Sequence, residues 1–190
     1  MKHLPPFRVV FVCNFNQCRS VAAEYFLRKL LLEKDKKLFN RVEITSAGIV
    51  FKKILRLLEQ KGIPEPQFGK NCSQQVIEIA SGHGIDISNH TSKPFSEDLA
   101  EGADLIVTME EFQKREILSR YSQADGRVFT FREFFGISGS TIIEDSFTLP
   151  EYDPDTDHYA FPYEFDEQTI DAVERCLRRG LKKFCRWFKE

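Results

Sequence analysis

The sequence lacks an excess of either charge: 27 Lys and Arg stand against 29 Asp and Glu, a net charge of −2. A nucleic-acid binder needs a basic surplus to neutralise phosphates, so the composition argues against that partner. Long apolar runs are also missing, and no stretch approaches the length of a membrane-crossing helix. The opening "MKHLPPF" runs straight into a strand-like segment and does not have the build of an export signal. Cysteine is present, but the five residues are odd in number and unevenly spaced, which makes no disulfide framework. Cys13 and Cys18 have no second Cys/His pair at finger-like spacing, so a zinc site is a poor reading. A reducing, cytoplasmic setting is therefore expected. No internal repeat or low-complexity tract is visible.

What is present is ordinary for a globular enzyme-sized domain: 42% hydrophobic and 29% charged residues in a chain of 190. That length carries one domain with a sizeable core, here residues 1–190. Strand-like and helix-like segments alternate, which predicts an α/β fold with a parallel sheet covered on both faces. Phe7 to Val12 is a continuous β-branched and aromatic run, the pattern of a strand buried on both sides. "RVEITSAG", "ADLIVTM" and "GRVFTF" supply three more strands. From Ser20 the chain reads as a helix, with Ala23, Phe26, Leu27, Leu30 and Leu31 at three- and four-residue spacing. Ser20 with Glu24 resembles a helix start, one residue longer than a capping box. Further helices are expected between Asn71 and Ser81, over "EEFQKREILSRYS", and from Glu167 to Phe188, whose acidic start and basic end complement a helix dipole. Ile49 to Gln67 stands out as extra: a short helical piece, then a loop with two prolines.

The stretch "FVCNFNQCRS" carries the chemistry. An accidental C-x5-R occurs about 0.3 times in such a chain. Requiring a following Ser or Thr and a preceding apolar run lowers this to roughly one in a thousand. With Cys13 ending a strand and Ser20 opening a helix, the turn between them lies where open α/β sheets bind ligands. Its successive backbone N–H groups form an anion-sized nest, strengthened by the helix dipole. Arg19 can offer a bidentate fork to two phosphate oxygens. The same field favours a thiolate at its floor, a nucleophile in line with a held phosphoryl group. Ser20 can donate to that sulfur and ease its departure from a phosphocysteine.

These residues resemble the low-molecular-weight protein tyrosine phosphatase family, whose loop reads C-x-G-N-x-C-R-S after an N-terminal strand. The order of further motifs agrees: "AAE" in the first helix, "TSAG" ending the second strand, "HGIDISNH", "ADLIVTM" and a late "YDPD". The resemblance implies a three-layer fold, a four-stranded parallel sheet with the phosphate-binding loop after the first strand. It also implies a two-step phosphomonoester hydrolysis in which Cys13 and Arg19 act with a general acid, Asp153, on a loop stiffened by Pro154. Asp155 and Asp157 are competitors for that role if the alignment slips. By the same resemblance Asn14, Phe15, Asn16, Gln17, Cys18 and Ser20 surround the substrate oxyanion. Ser46 and His90 hold Asn16, which matches a left-handed position that Asn tolerates. Cys18 matches a second loop cysteine able to form a reversible disulfide with Cys13. Cys72, Cys176 and Cys185 read as structural. No metal or organic cofactor is implied, because Arg19, the nest and the helix end already supply positive charge. The substrate is a phosphorylated protein or a small phosphomonoester.

Three departures bear on activity. Phe15 stands where the family has glycine, and must point out of the cradle or alter it. Gln17 stands at a position commonly apolar or Thr, which leaves phosphotyrosine and phosphoarginine both open. Asp155 and Thr156 replace an aromatic pair after the Asp-Pro. Phe51 and Tyr159 are candidates for an aromatic wall, although in a chain with 18 Phe the core is the stronger expectation. Rival readings are a phosphate-binding module without turnover, a phosphocarrier protein, and a thiol-coupled arsenate reductase. The last needs downstream redox cysteines, and none lies between Cys72 and Cys176.

Overall fold

The computed structural model describes residues 5–62, 64–65, 67–136, 151–153, 158–160 and 163–188, with 52–53, 57, 151–153, 158–160 and 163–165 described as backbone. Four parallel strands form the central sheet: β1 (Phe7–Cys13), β2 (Val42–Gly48), β3 (Leu105–Thr108) and β4 (Val128–Thr130), in the order β2-β1-β3-β4. β1 is flanked on both sides, which is why its sequence is an unbroken apolar run rather than an alternating one. Its side chains alternate between two cores. Val9, Phe11 and Cys13 enter one, and Val10 and Val12 enter the other.

Helices cover both faces, as expected. The larger core is closed by α1 (Arg19–Lys34), α4 (Gln74–Gly82), α7 (Phe131–Phe135) and the long α8 (Tyr163–Trp187). Ala23, Phe26, Leu27, Leu30 and Leu31 of α1 are all buried there. The opposite core is closed by α5 (Glu97–Gly102) and α6 (Glu111–Arg120). A one-turn α2 (Lys36–Phe39) leads into β2, and α3 (Lys52–Gln60) is the helical piece of the extra segment. A small antiparallel pair, β5 (Glu151–Asp153) and β6 (His158–Ala160), precedes α8.

Three expected boundaries shift, each for a local reason. The α4 segment starts at Gln74 instead of Asn71, because Ser73 caps it: its Oγ accepts from the backbone N–H of Val76. Asn71 instead forms a β-bridge with Thr91. The last helix begins at Tyr163, one turn before Glu167. The first helix begins at Arg19, with Cys18 as its N-cap residue, and no side chain caps it. Ser20 and Glu24, read from sequence as a helix start, are buried and bonded elsewhere.

The strand order places a reversal of winding beside β1. The chain passes from β1 to β2 on one side and returns to β3 on the other. Ligand crevices in open α/β sheets open at the carboxyl ends of strands flanking such a switch. Val12 pairs with Thr108, so the loop after Cys13 lies beside the residues that follow β3.

Candidate active site

The loop from Cys13 to Arg19 is fixed by a side chain inside its own curve. Asn16 has φ of +57°, and among the described residues it is the only one other than glycine with a positive φ. Its Oδ1 accepts from the backbone N–H of Lys93 at 3.0 Å, an unambiguous donor that orients the amide. Its Nδ2 then donates to Ser46 Oγ at 2.8 Å and to Ser20 Oγ at 3.1 Å. Ser46 passes its own proton to Glu24 Oε2 at 2.7 Å. Burial raises the Glu24 carboxyl, while Ser46 and Arg28 oppose that shift. His90 Nε2 lies 3.2 Å from both the backbone oxygen and Oδ1 of Asn16. Both are acceptors, so Nε2 carries the proton. Burial holds His90 below its ordinary value, keeping the ring neutral.

That network leaves one hydrogen-bond donor for the sulfur. Ser20 Oγ receives from Asn16 and lies 3.0 Å from Cys13 Sγ, leaving its hydroxyl proton for the sulfur. The backbone of β2 must come close for this to work. A Cβ at Gly48 would lie 2.8 Å from the carbonyl oxygen of Asn14, so only glycine fits against the loop.

Residues after β3 complete the crevice. Arg19 Nη1 donates to Glu110 Oε1 at 2.5 Å, with both side chains buried. Gln113 Nε2 donates to Asn14 Oδ1 at 2.8 Å, and its Oε1 accepts from the backbone N–H groups of Met109 and Glu110. Sequence reasoning missed Glu110 and Gln113. The signal is "TMEEFQ" directly after a core strand, where acidic and amide side chains fall beside the loop once the strand order is known.

Cys18 lines the same cleft as Cys13 and Arg19, and its thiol donates to Asp166 Oδ1 at 3.7 Å. Burial first, then Asp166 and Cys13, push it well above the ordinary thiol range. Cys72, buried nearby, is pushed up to about 12 by burial and then by Cys13. Asn14 and Gln17 also line the cleft.

Phe15 resolves the departure seen in the loop motif. It packs with Phe51, Ile54 and Leu58, with Val50 and Phe112 against them, while still lining the cleft. Phe51 and Phe112 meet in a tilted contact, 4.5 Å between centroids. The extra helix is therefore anchored on the loop itself, and Phe51 belongs to this third apolar cluster. Asp153 ends β5, in register with His158, and Tyr159 pairs with Tyr152; their side chains are outside the described set. Pro154, Asp155, Thr156 and Asp157 lie outside the described residues. Among the described residues no group of three or more His, Cys, Asp or Glu is arranged to hold a metal ion, and no helix is long and apolar enough to cross a membrane.

A thiol beneath a helix N-terminus, beside a buried guanidinium, is the equipment of a cysteine-dependent phosphatase. A family model described as "Low molecular weight phosphotyrosine protein phosphatase" matches residues 8–189. The chain belongs to the low-molecular-weight protein tyrosine phosphatase family. The protein named "Probable low molecular weight protein-tyrosine-phosphatase EpsP" of Ralstonia nicotianae is 33% identical over 125 residues, 66% of this chain and 70% of that one. The Bacillus subtilis protein named "Protein-arginine-phosphatase" is 26% identical over 175 residues, 92% of this chain and 95% of its own. The crystal structure of a low molecular weight protein tyrosine phosphatase from T. tengcongensis is similar at TM-score 0.68 and 28% identity, covering 93% of this chain and 99% of the other.

Proposed function

We propose that this protein hydrolyses phosphomonoesters in two steps on Cys13, as a phosphatase acting on phosphorylated protein. The observation that carries the reading is the Asn16–Ser20–Cys13 relay beside the Arg19–Glu110 pair at the end of β1. In the first step the Cys13 sulfur attacks phosphorus, the ester P–O bond breaks, and Asp153 gives its proton to the leaving oxygen. In the second, water attacks the phosphocysteine, Asp153 takes the water proton, and inorganic phosphate leaves as sulfur departs.

Arg19 holds two phosphoryl oxygens, and the loop backbone from Asn14 to Ser20 donates to the rest. Ser20 stabilises the sulfur as a leaving group. Ser46 and His90 act through Asn16 and hold the loop in its left-handed bend. Desolvation of the half-buried Cys18 thiol, and its partner Asp166, keep it a thiol until oxidation of Cys13 gives it a disulfide partner. We read the chain as one domain, with 49–67 an insertion docked through Phe15, and as a cytoplasmic protein that needs no cofactor. The family match across 8–189 and the third apolar cluster support the domain reading.

Hydrolysis of p-nitrophenyl phosphate by the wild type and by Cys13→Ser tests the reaction. Turnover in the first and none in the second is expected; no turnover by reduced, folded wild type would leave a phosphate-binding module as the better description. A phosphotyrosyl and a phosphoarginyl peptide compared by kcat/KM then fix the substrate class. The Bacillus subtilis relative's name gives the second peptide its place in the test.

A further inference from the structure

The reaction as written uses no side chain from the last helix, yet that helix sends a carboxylate into the same cleft. Asp166 is 2% exposed and lines the cleft with Cys13, Cys18, Arg19 and Ser73. Its Oδ2 accepts from Gln75 Nε2 at 2.8 Å and its Oδ1 from the Cys18 thiol at 3.7 Å. Both oxygens are thus tied to neutral donors. Arg19, whose charge Asp166 feels, is also held by Glu110. Among the described residues, the groups facing Asp166 are Cys13, Cys18 and Arg19 from the loop and first helix, and Gln75 from α4; on its own element the next acid, Glu167, is exposed.

A carboxylate in this place opposes what the cleft is built to hold. A dianion on Arg19 repels an ionised Asp166 that lines the same cleft and is itself buried, whereas a protonated one is uncharged. Burial already holds the carboxyl up at about 6, against the pull of Gln75, Cys18 and Arg19. The group is therefore ionised in the empty cleft at neutral pH, and an arriving dianion drives it further towards the acid form.

We propose that Asp166 couples oxyanion binding in this cleft to the uptake of one proton, so that the dianion and the proton enter together. One proton leaves solvent for the Asp166 carboxylate per dianion bound, and returns when phosphate departs. Asp166 is then a positioning residue whose protonation sets the alkaline limit of substrate and product binding. This rests on the reading of the cleft as a phosphate cradle.

Sulfate is the probe, because its charge is constant across the pH range of interest. Cys13→Ser is the background, because it removes the nucleophilic thiol; burial lowers His90 from its ordinary value. From pH 6.5 to 8.5, sulfate affinity of Cys13→Ser should weaken by about tenfold per pH unit, the slope of one linked proton. With Asp166→Asn added, the slope should fall below about twofold per unit, and Asp166→Glu should restore it. Equal slopes with and without the carboxylate would overturn the proposal. Calorimetry of sulfate binding to Cys13→Ser at pH 7.5, in two buffers of different ionisation enthalpy, needs no change at Asp166. It should show uptake of about one proton, and zero uptake would overturn the proposal. No sulfate binding at pH 6.5 would overturn the cradle reading and this proposal together. Wild-type turnover with pH-independent sulfate binding would overturn this proposal alone.

Discussion

Arg19 and Glu110 form a buried ion pair across the β1–β3 crevice, 2.5 Å from Nη1 to Oε1, with each residue about one-twentieth exposed or slightly more. The guanidinium that must meet a phosphate is thus aimed in advance by a carboxylate on the neighbouring strand's loop. Pre-aiming lowers the ordering cost at the moment of binding.

Glu110→Gln removes the negative charge that Arg19 meets at 2.5 Å. Glu110→Gln should lower stability by about 3 kcal/mol, in the range for losing one partner of a buried pair. It should also raise KM about tenfold, because the fork is no longer oriented when the substrate arrives. Denaturant titration and steady-state kinetics check both; an unchanged KM would show that Arg19 is aimed by something else.

Ser20 acts on the sulfur, and the Asn16 amide that donates to it is also held by Ser46 and Lys93. Ser20→Ala removes a hydrogen bond to a charged group, so kcat should fall about tenfold to a hundredfold. KM should change little, and phosphocysteine should accumulate because its breakdown loses the donor. Rapid-quench measurement of the enzyme-bound phosphate distinguishes this from slowed formation, in which no intermediate builds up.

Phe15 tests the link between loop and insertion. Phe15→Ala empties the centre of the cluster formed with Phe51, Ile54 and Leu58. The cost should be about 3 kcal/mol of stability, with rapid amide exchange confined to α3. A loss spread evenly over the fold would mean that α3 is not docked through this ring.

The pH dependence of stability carries a signature of Asp166. Its carboxyl is raised from 3.8 to about 6, first by burial. A group raised on folding contributes stability that is fully present below its unfolded value and lost as pH rises through its folded value. Wild type should therefore lose stability between about pH 4 and pH 6 relative to Asp166→Asn, which cannot ionise. Above that window the variant should be more stable by about 3 kcal/mol, an advantage gone by about pH 4. Thermal melts at both ends check it, and a pH-independent difference would contradict the burial argument.

The sequence shows the nucleophile loop because its residues are contiguous: Cys13, Arg19 and Ser20 stand within one turn between a buried strand and a helix. Ser46 and His90 were reached only through a family resemblance, since nothing local to "TSAG" or "SNH" points at Asn16. Ser20 and Glu24 misled as a helix start. Their hydroxyl and carboxylate suit a cap, and nothing in a one-dimensional pattern says that a buried asparagine and serine compete for them. Glu110, Gln113 and Asp166 were not legible at all. Each reaches the site through strand order or helix packing, and an acidic residue at a helix start reads as a solvated first turn. Phe15 was legible as an anomaly, but its partner was not: only the docked α3 shows that the missing glycine and the extra segment belong together.

The central claim is that Cys13 carries the phosphoryl group. Mass spectrometry of the wild type, acid-quenched during turnover of p-nitrophenyl phosphate, reads it directly. The account predicts one added phosphoryl group on the peptide containing Cys13, absent from Cys13→Ser. Turnover with an unmodified Cys13 peptide, or the modification on another residue, would contradict it.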